Sequence, residues 1–194
     1  MNKFDRNFYL QDTLKVAKEL IGMYIVRNYN GTELIMKITE TEAYIGSIDK
    51  ACHAYGGRRT KRTEIMYGIG GYAYIYLIYG MYNCFNIVTE EKEKACAVLI
   101  RGGSPEKGIN EMSQLRYEKA YNELTAYQIK NFANGPGKLC IAMKITKELN
   151  EKDLLSDDFY IAKGKKQNYD IKCSKRINID YAEEAKDFLW RFYV

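Results

Sequence analysis

Residues 23–45, MYIVRNYNGTELIMKITETEAYI, decide the class of this chain. Asn30-Gly31 divides two runs rich in β-branched and aromatic residues, the strongest short-range hairpin signal, because both residues tolerate the positive φ that a two-residue turn demands. The flanking runs are expected to pair as antiparallel strands. Upstream, Asp12-Thr13 precedes Leu14, Val16, Ala17, Leu20 and Ile21 at helical spacing, with Gly22 as a stop, and predicts a helix. Downstream, a loop rich in glycine and arginine leads into YAYIYLIYGMYNCFNIVTE (72–90) and ACAVLIRGG (95–103), which read as further strands. Residues 106–132 read as mostly helical, with Ile109, Met112 and Leu115 as an apolar stripe; 134–137 as a sharp loop; and 138–145 as a short helix. Near the end, 159–162 and 176–180 are candidate strands and 182–190 a candidate helix. Strands cluster in the middle and helices elsewhere, so the expected class is α+β with a largely antiparallel sheet.

The 194 residues carry 30 Lys plus Arg against 25 Asp plus Glu, a net charge of +5, with 46% hydrophobic and 28% charged residues, a globular composition. Without repeats or low-complexity tracts, one domain over 1–194 is expected. No stretch approaches the roughly 20 apolar residues of a membrane helix, and the first residues lack the apolar core of a signal peptide. The expectation is a soluble cytoplasmic monomer, nucleoid-associated if prokaryotic, with no membrane partner. Cys52, Cys84, Cys96, Cys140 and Cys173 are an odd, widely spaced set without Cys-x-x-Cys, and His53 is the only histidine. Neither a disulfide framework nor a metal site is expected, nor is an organic cofactor. In a reducing compartment the sequon Asn30-Gly31-Thr32 is simply a turn. Mild basicity and 18 tyrosines suit a polyanionic partner without requiring one.

Several familiar motifs fail on context. Gly68-Ile69-Gly70-Gly71-Tyr72-Ala73 resembles a dinucleotide fingerprint, but a strand follows where that motif opens a helix. Asn134-Gly135-Pro136-Gly137-Lys138-Leu139 resembles a phosphate loop, yet Phe132 and Leu139 stand where glycine and Ser or Thr are needed. A single histidine and no Gly-x-Ser-x-Gly elbow leave little room for a serine hydrolase.

Three stretches remain as candidates for chemistry. On a strand, Glu40, Glu42 and Tyr44 share one face, with alternate Cα atoms about 6.6 Å apart. The pair of carboxylates reads either as solvated glutamates on an exposed strand or as a base that activates water. Tyr72, Tyr74 and Tyr76 share one face of the next strand, as core packing or as an aromatic wall, and Gly80 permits a turn that would expose a nearby tyrosine. Arg58, Arg59, Lys61 and Arg62, interleaved with glycine and threonine, read either as a solvated loop or as a phosphate contact.

Taken in order, ETEAYIG with D-x-A-x-H, GGRRTKR, YIYLIYGMYNCFN, AVLIRGGSP and NGPGKLC resemble the alkyladenine (3-methyladenine) DNA glycosylase family over essentially the whole chain. The resemblance implies a curved antiparallel sheet with flanking helices and a protruding β-hairpin that inserts into DNA. It implies a monofunctional enzyme that flips alkylated or deaminated purines out of duplex DNA and hydrolyses the N-glycosidic bond, initiating base excision repair. Carried onto this sequence, it makes Glu42 the general base and lines the base pocket with Tyr44, His53, Tyr76 and Asn86. Tyr79 becomes the wedge that fills the duplex, Arg101 lies near the flipped nucleotide, and Arg58, Thr60, Arg62, Met81 and Tyr82 complete the DNA contacts. Competing readings are a catalytically silent DNA-binding module and an O-glycoside hydrolase using Glu40 and Glu42.

Overall fold

The computed structural model describes residues 1–164 and 168–194. Its centre is the hairpin of β1 (Tyr24–Tyr29) and β2 (Thr32–Ile45), paired from Tyr24↔Lys37 to Tyr29↔Thr32. Asn30 and Gly31 both take positive φ, 47° and 80°, the type I′ pattern that matches the twist of the strands they join. A second hairpin joins β3 (Ala73–Ile78) to β4 (Tyr82–Thr89), and β5 (Cys96–Lys107) follows. With β6 (Phe159–Ala162) the main sheet runs β3-β4-β5-β2-β1-β6, every pair antiparallel. The α+β reading is borne out.

β2 organises the sheet. Its first half pairs with β1; its second half pairs along the same edge with β8 (Arg191–Tyr193), which also holds β7 (Lys172–Ser174). Register shifts against β5 at Ile38/Glu40 and Glu40/Thr41 mark bulges, which bend a strand and re-aim its side chains. Period-two alternation then separates two faces. Ala43, Ile75, Phe85, Ile87, Val98 and Ile100 join the main core with the buried face of a helix at Thr13–Glu19. Glu42, Tyr44, Tyr74, Tyr76, Asn86, Leu99 and Arg101 line the opposite face.

The helices depart most from the sequence reading. A one-turn helix, α1 (Arg6–Tyr9), precedes the expected one, α2 (Thr13–Glu19), which Asp12 caps by accepting from the Lys15 N–H at 3.0 Å. Gly22 is left-handed (φ 82°), but its N–H donates to Ile38 of β2 rather than closing the helix. The expected helical stretch at 106–132 is broken. Glu106 and Lys107 still belong to β5, and α3 covers only Ile109–Tyr117 before Glu118 turns left-handed; a single 3₁₀ turn and α4 (Ala126–Lys130) follow. The next helix, α5, is Pro136–Ala142 rather than 138–145, because proline at its start lacks only an N–H that the first turn leaves unpaired anyway.

Two C-terminal expectations are corrected. Residues 176–180 are not a strand: the Ile177 N–H donates to the Glu42 carboxylate at 2.9 Å instead of to a ladder, and Arg176 buries its side chain against Ala43, Asp49 and Ala185. The segment 182–190 is not an α-helix but one 3₁₀ turn, Glu183–Asp187, followed by the unforeseen β8. Among the described residues no helix is long and apolar enough to cross a membrane.

Candidate active site

The bulged half of β2 brings Glu40, Glu42 and Tyr44 to one side, as the strand period requires. Their environments differ sharply. Glu40 is bound by Arg101 at 2.9 Å and by Arg191 of β8 at 2.5 Å, so its carboxylate is committed to two guanidinium groups. Glu42 is completely buried. One of its oxygens accepts from the Ile177 N–H at 2.9 Å with Arg101 Nε at 3.5 Å, and the other accepts from the Tyr44 hydroxyl at 2.8 Å. Burial raises the Glu42 pKa above the usual carboxylate value, while Arg101, the Ile177 N–H and the Tyr44 hydroxyl pull against it. Such a carboxyl holds a proton more readily than an exposed one, while its three donors favour the ionised form.

Glu42 borders a cavity of about 470 Å³, within the range of small-ligand sites and lined also by Tyr44, His53, Tyr74, Tyr76, Asn86 and Leu99. β3 and β4 pair Tyr74 with Asn86 and Tyr76 with Cys84, so aromatic rings and an amide face the cavity from adjacent strands. Asn86 spends its amide donors on Tyr74 O (3.1 Å) and Cys84 O (3.4 Å), which fixes the orientation of the side chain. The 49–53 turn delivers His53, whose Nδ1 lies 2.8 Å from the Tyr74 hydroxyl and whose ring meets Tyr76 edge-on at 4.7 Å. Burial, then the charges of Arg62 and Arg58, push the His53 pKa down to about 4, so the imidazole is neutral at physiological pH.

At the rim, Ile78 and Tyr82 close the β3–β4 hairpin. Tyr79 and Gly80 at its tip both have positive φ (54° and 69°), and the Met81 N–H donates to Ile78 O at 3.2 Å. A tight turn of this kind throws its side chains outward: Tyr79 is 71% and Met81 66% exposed. Gly137 of α5 approaches Tyr82 so closely that a Cβ would lie 3.0 Å from that side chain, which seats the hairpin against the first turn of α5 rather than against the loop expected at 134–137. The basic run splits. Arg59 is tied to Glu64 and Glu93, each at 2.7 Å, whereas among the described residues neither Arg58 nor Arg62 pairs with a carboxylate. Arg62 lies 4.7 Å above the Tyr76 ring, and Thr60 holds the loop through its N–H to Thr63 Oγ1 at 2.9 Å. Arg101, read as a contact to the flipped nucleotide, sits beside both glutamates with its side chain only 14% exposed.

The geometry thus gathers Glu42, Tyr44, His53, Tyr76, Asn86 and Arg101 around one cavity, with Tyr79, Tyr82 and Arg62 at its border. Sequence reasoning missed Tyr74 as the partner of His53, and it missed Ile177 and Arg176, whose stretch was read as a candidate strand. Asp49 stood in the quoted D-x-A-x-H motif, but nothing local reveals its partner. Among the described residues no group of three or more His, Cys, Asp or Glu is placed to hold a metal ion.

A buried carboxylate beside an aromatic cavity, with an exposed hairpin tip at its rim, has room for a flat ring and a group able to exchange a proton. The sequence profile described as methylpurine-DNA glycosylase (MPG) matches residues 7–194. Proteins carrying the name "Putative 3-methyladenine DNA glycosylase" from Clostridium perfringens (strain SM101 / Type A) and Clostridium novyi (strain NT) are each 56% identical to this chain, over 99% and 100% of it and 95% and 96% of their own lengths. A protein of the same name from Clostridioides difficile (strain 630) is 49% identical over 98% of this chain and 99% of its own. The chain belongs to the methylpurine-DNA glycosylase family. As a member it is a DNA glycosylase, and DNA is its substrate.

Proposed function

We propose that this protein excises alkylated purines, 3-methyladenine foremost, from duplex DNA by direct water attack. A base inside the helix hides its glycosidic bond, so the lesion must leave the stack at a cost of a few kcal/mol, which weakened pairing lowers. Tyr79 fills the gap left behind, and the extruded base stacks against Tyr44 and Tyr76. In the chemical step the water oxygen bonds to the sugar C1′ as the C1′–N bond breaks, its electron pair staying on the base, and Glu42 takes the water proton. Ionised Glu42 also stabilises the oxocarbenium character of the sugar, by analogy with glycoside hydrolysis.

The observation that carries this reading is the burial of Glu42 with its carboxylate held by an N–H, a hydroxyl and a guanidinium. Its neighbour Glu40 is occupied by two arginines, which leaves a two-carboxylate O-glycosidase without its second group. His53, neutral at pH 7, supplies no imidazolium proton to a leaving base, so the site favours purines whose alkylation already gives them positive charge and lets them depart neutral. The aromatic walls favour the same bases through cation–π attraction of roughly 0.5 to 2 kcal/mol.

The test is base release from duplexes carrying 3-methyladenine, 7-methylguanine, hypoxanthine or ethenoadenine, with borohydride and EDTA in parallel reactions. Release of the cationic 3-methyladenine ahead of the neutral lesions, with no trapped protein–DNA adduct, is expected. A covalent adduct would indicate an amine nucleophile, and binding without release from any duplex would make the protein a silent DNA-binding module.

A further inference from the structure

Among the described residues Arg176 and Asp49 form the one ion pair with both side chains wholly out of solvent. Nη2 of Arg176 donates to Asp49 Oδ1 at 2.7 Å and to Ala185 O at 3.1 Å, and Nη1 donates to Asp49 Oδ2 and to Ala43 O at 2.9 Å. The guanidinium carbon also lies over two aromatic rings, 4.6 Å from the centroid of Tyr44 and 5.2 Å from that of Trp190. Desolvating two charges is costly, and a buried pair is often no more stable than apolar residues of the same volume. Stability alone is therefore a weak reason for the pair. Among the described residues its Nε finds no hydrogen-bond partner, a further cost of the arrangement.

Apart from those to Ala185 and Trp190, these contacts fall on segments that carry part of the site. Ala43 lies between Glu42 and Tyr44. Asp49 opens the turn that ends in His53 and braces it by accepting from the Ala51 N–H at 3.0 Å. The residue after Arg176 is Ile177, whose N–H holds Glu42 at 2.9 Å. Because the guanidinium covers one face of Tyr44 without lining the cavity, a base has only the other face to stack on.

We propose that Arg176 and Asp49 are positioning residues for excision, fixing the Glu42 carboxylate, the Tyr44 ring and the His53 turn relative to one another. The planar guanidinium fork supplies what a generic buried charge does not, since its donors leave in set directions toward three separate chain segments. If the fork is lost, the Ile177 N–H drifts from Glu42, the carboxylate loses a donor that favours its ionised form, and its ionisation moves to higher pH. This inference rests on Glu42 acting as the base.

The decisive protein is the double variant Asp49→Leu with Arg176→Met, which replaces the pair by apolar side chains and removes the unpaired charge that either single change would strand. It is compared with wild type by thermal unfolding and by single-turnover release of 3-methyladenine at saturating protein across pH. Thermal stability near wild type is expected, together with a rate lowered about 10-fold or more and an acid limb moved upward by roughly half a pH unit or more. A folded double variant with a wild-type rate, or a slower one whose acid limb has not moved, overturns the proposal. Should the double variant fail to fold, Arg176→Lys keeps the charge but not the fork: the same slowed rate and shifted limb support the proposal, and wild-type behaviour refutes it. Inactive wild-type protein would instead sink the reading of Glu42, so the two failures are distinguishable.

Discussion

Glu42→Gln changes almost nothing but the charge, and the structure shows why it separates chemistry from folding. The glutamine carbonyl can keep the Ile177 N–H, and its amide can face the Tyr44 hydroxyl, which rotates to accept rather than donate. Arg101 loses the partner at 3.5 Å and retains Glu40 at 2.9 Å. The change in stability should stay within about 1 kcal/mol, a shift of roughly 2 to 4 °C in Tm for a chain of this size. The rate has no such compensation. Removing a general base costs about 100-fold or more, equivalent to about 2.7 kcal/mol of transition-state stabilisation.

The pH dependence adds a second readout. Since burial raises the Glu42 pKa, the wild-type rate should fall with decreasing pH through a value above that of an ordinary carboxylate, and the variant should lack this limb. The sign for stability is opposite: the folded protein holds this proton more tightly than the unfolded chain, so the contribution is fully present below the unfolded pKa and is lost as pH rises through the folded one. Glu42→Gln should therefore gain on wild type toward neutral pH. Single-turnover release from a 3-methyladenine duplex, with lesion-DNA binding by anisotropy and urea unfolding at several pH values, checks all three. Release within about tenfold of wild type by a folded Glu42→Gln would refute the assignment.

Three other outcomes are expected. His53 has its pKa depressed to about 4, so its contribution to stability is present above the unfolded value near 6.5 and lost as pH falls toward 4; urea midpoints of His53→Gln should drop less over that interval, and equal drops would place the titration elsewhere. Tyr79→Ser removes a 71%-exposed ring whose stacking is worth roughly 1 to 3 kcal/mol, so excision from duplexes should slow while Tm holds; a loss of Tm with unchanged excision would make Tyr79 a packing residue. Arg58→Ala should weaken binding to any duplex alike and flatten the salt dependence by about one unit of log–log slope, and an unchanged slope would return that residue to a solvated loop.

The sequence alone determined what is local. Asn30-Gly31 specified a hairpin because few residues accept two successive positive φ angles, and alternation along β2 and β3 specified which side chains share a face. Those signals act over a few residues and survive without tertiary context. At 106–132 the stripe Ile109, Met112 and Leu115 does form a helix, but its start was misplaced because β5 continues through Lys107 to pair with Ile35, and an apolar stripe cannot report where a strand finds its partner. The alternation Ile177 and Ile179 resembled a strand, whereas the burial of Arg176 against Asp49, far away in the chain, decided that stretch. The difference between Glu40 and Glu42 was tertiary in the same sense. Both stand on one face of one strand, and the family resemblance ranked them where strand periodicity did not. Arg191 arrives from β8 to occupy the first, and the Ile177 N–H arrives from 135 residues downstream to hold the second out of water. Reactivity here depends on desolvation and on the direction of donated hydrogen bonds, and both are set by segments that meet only when the chain folds.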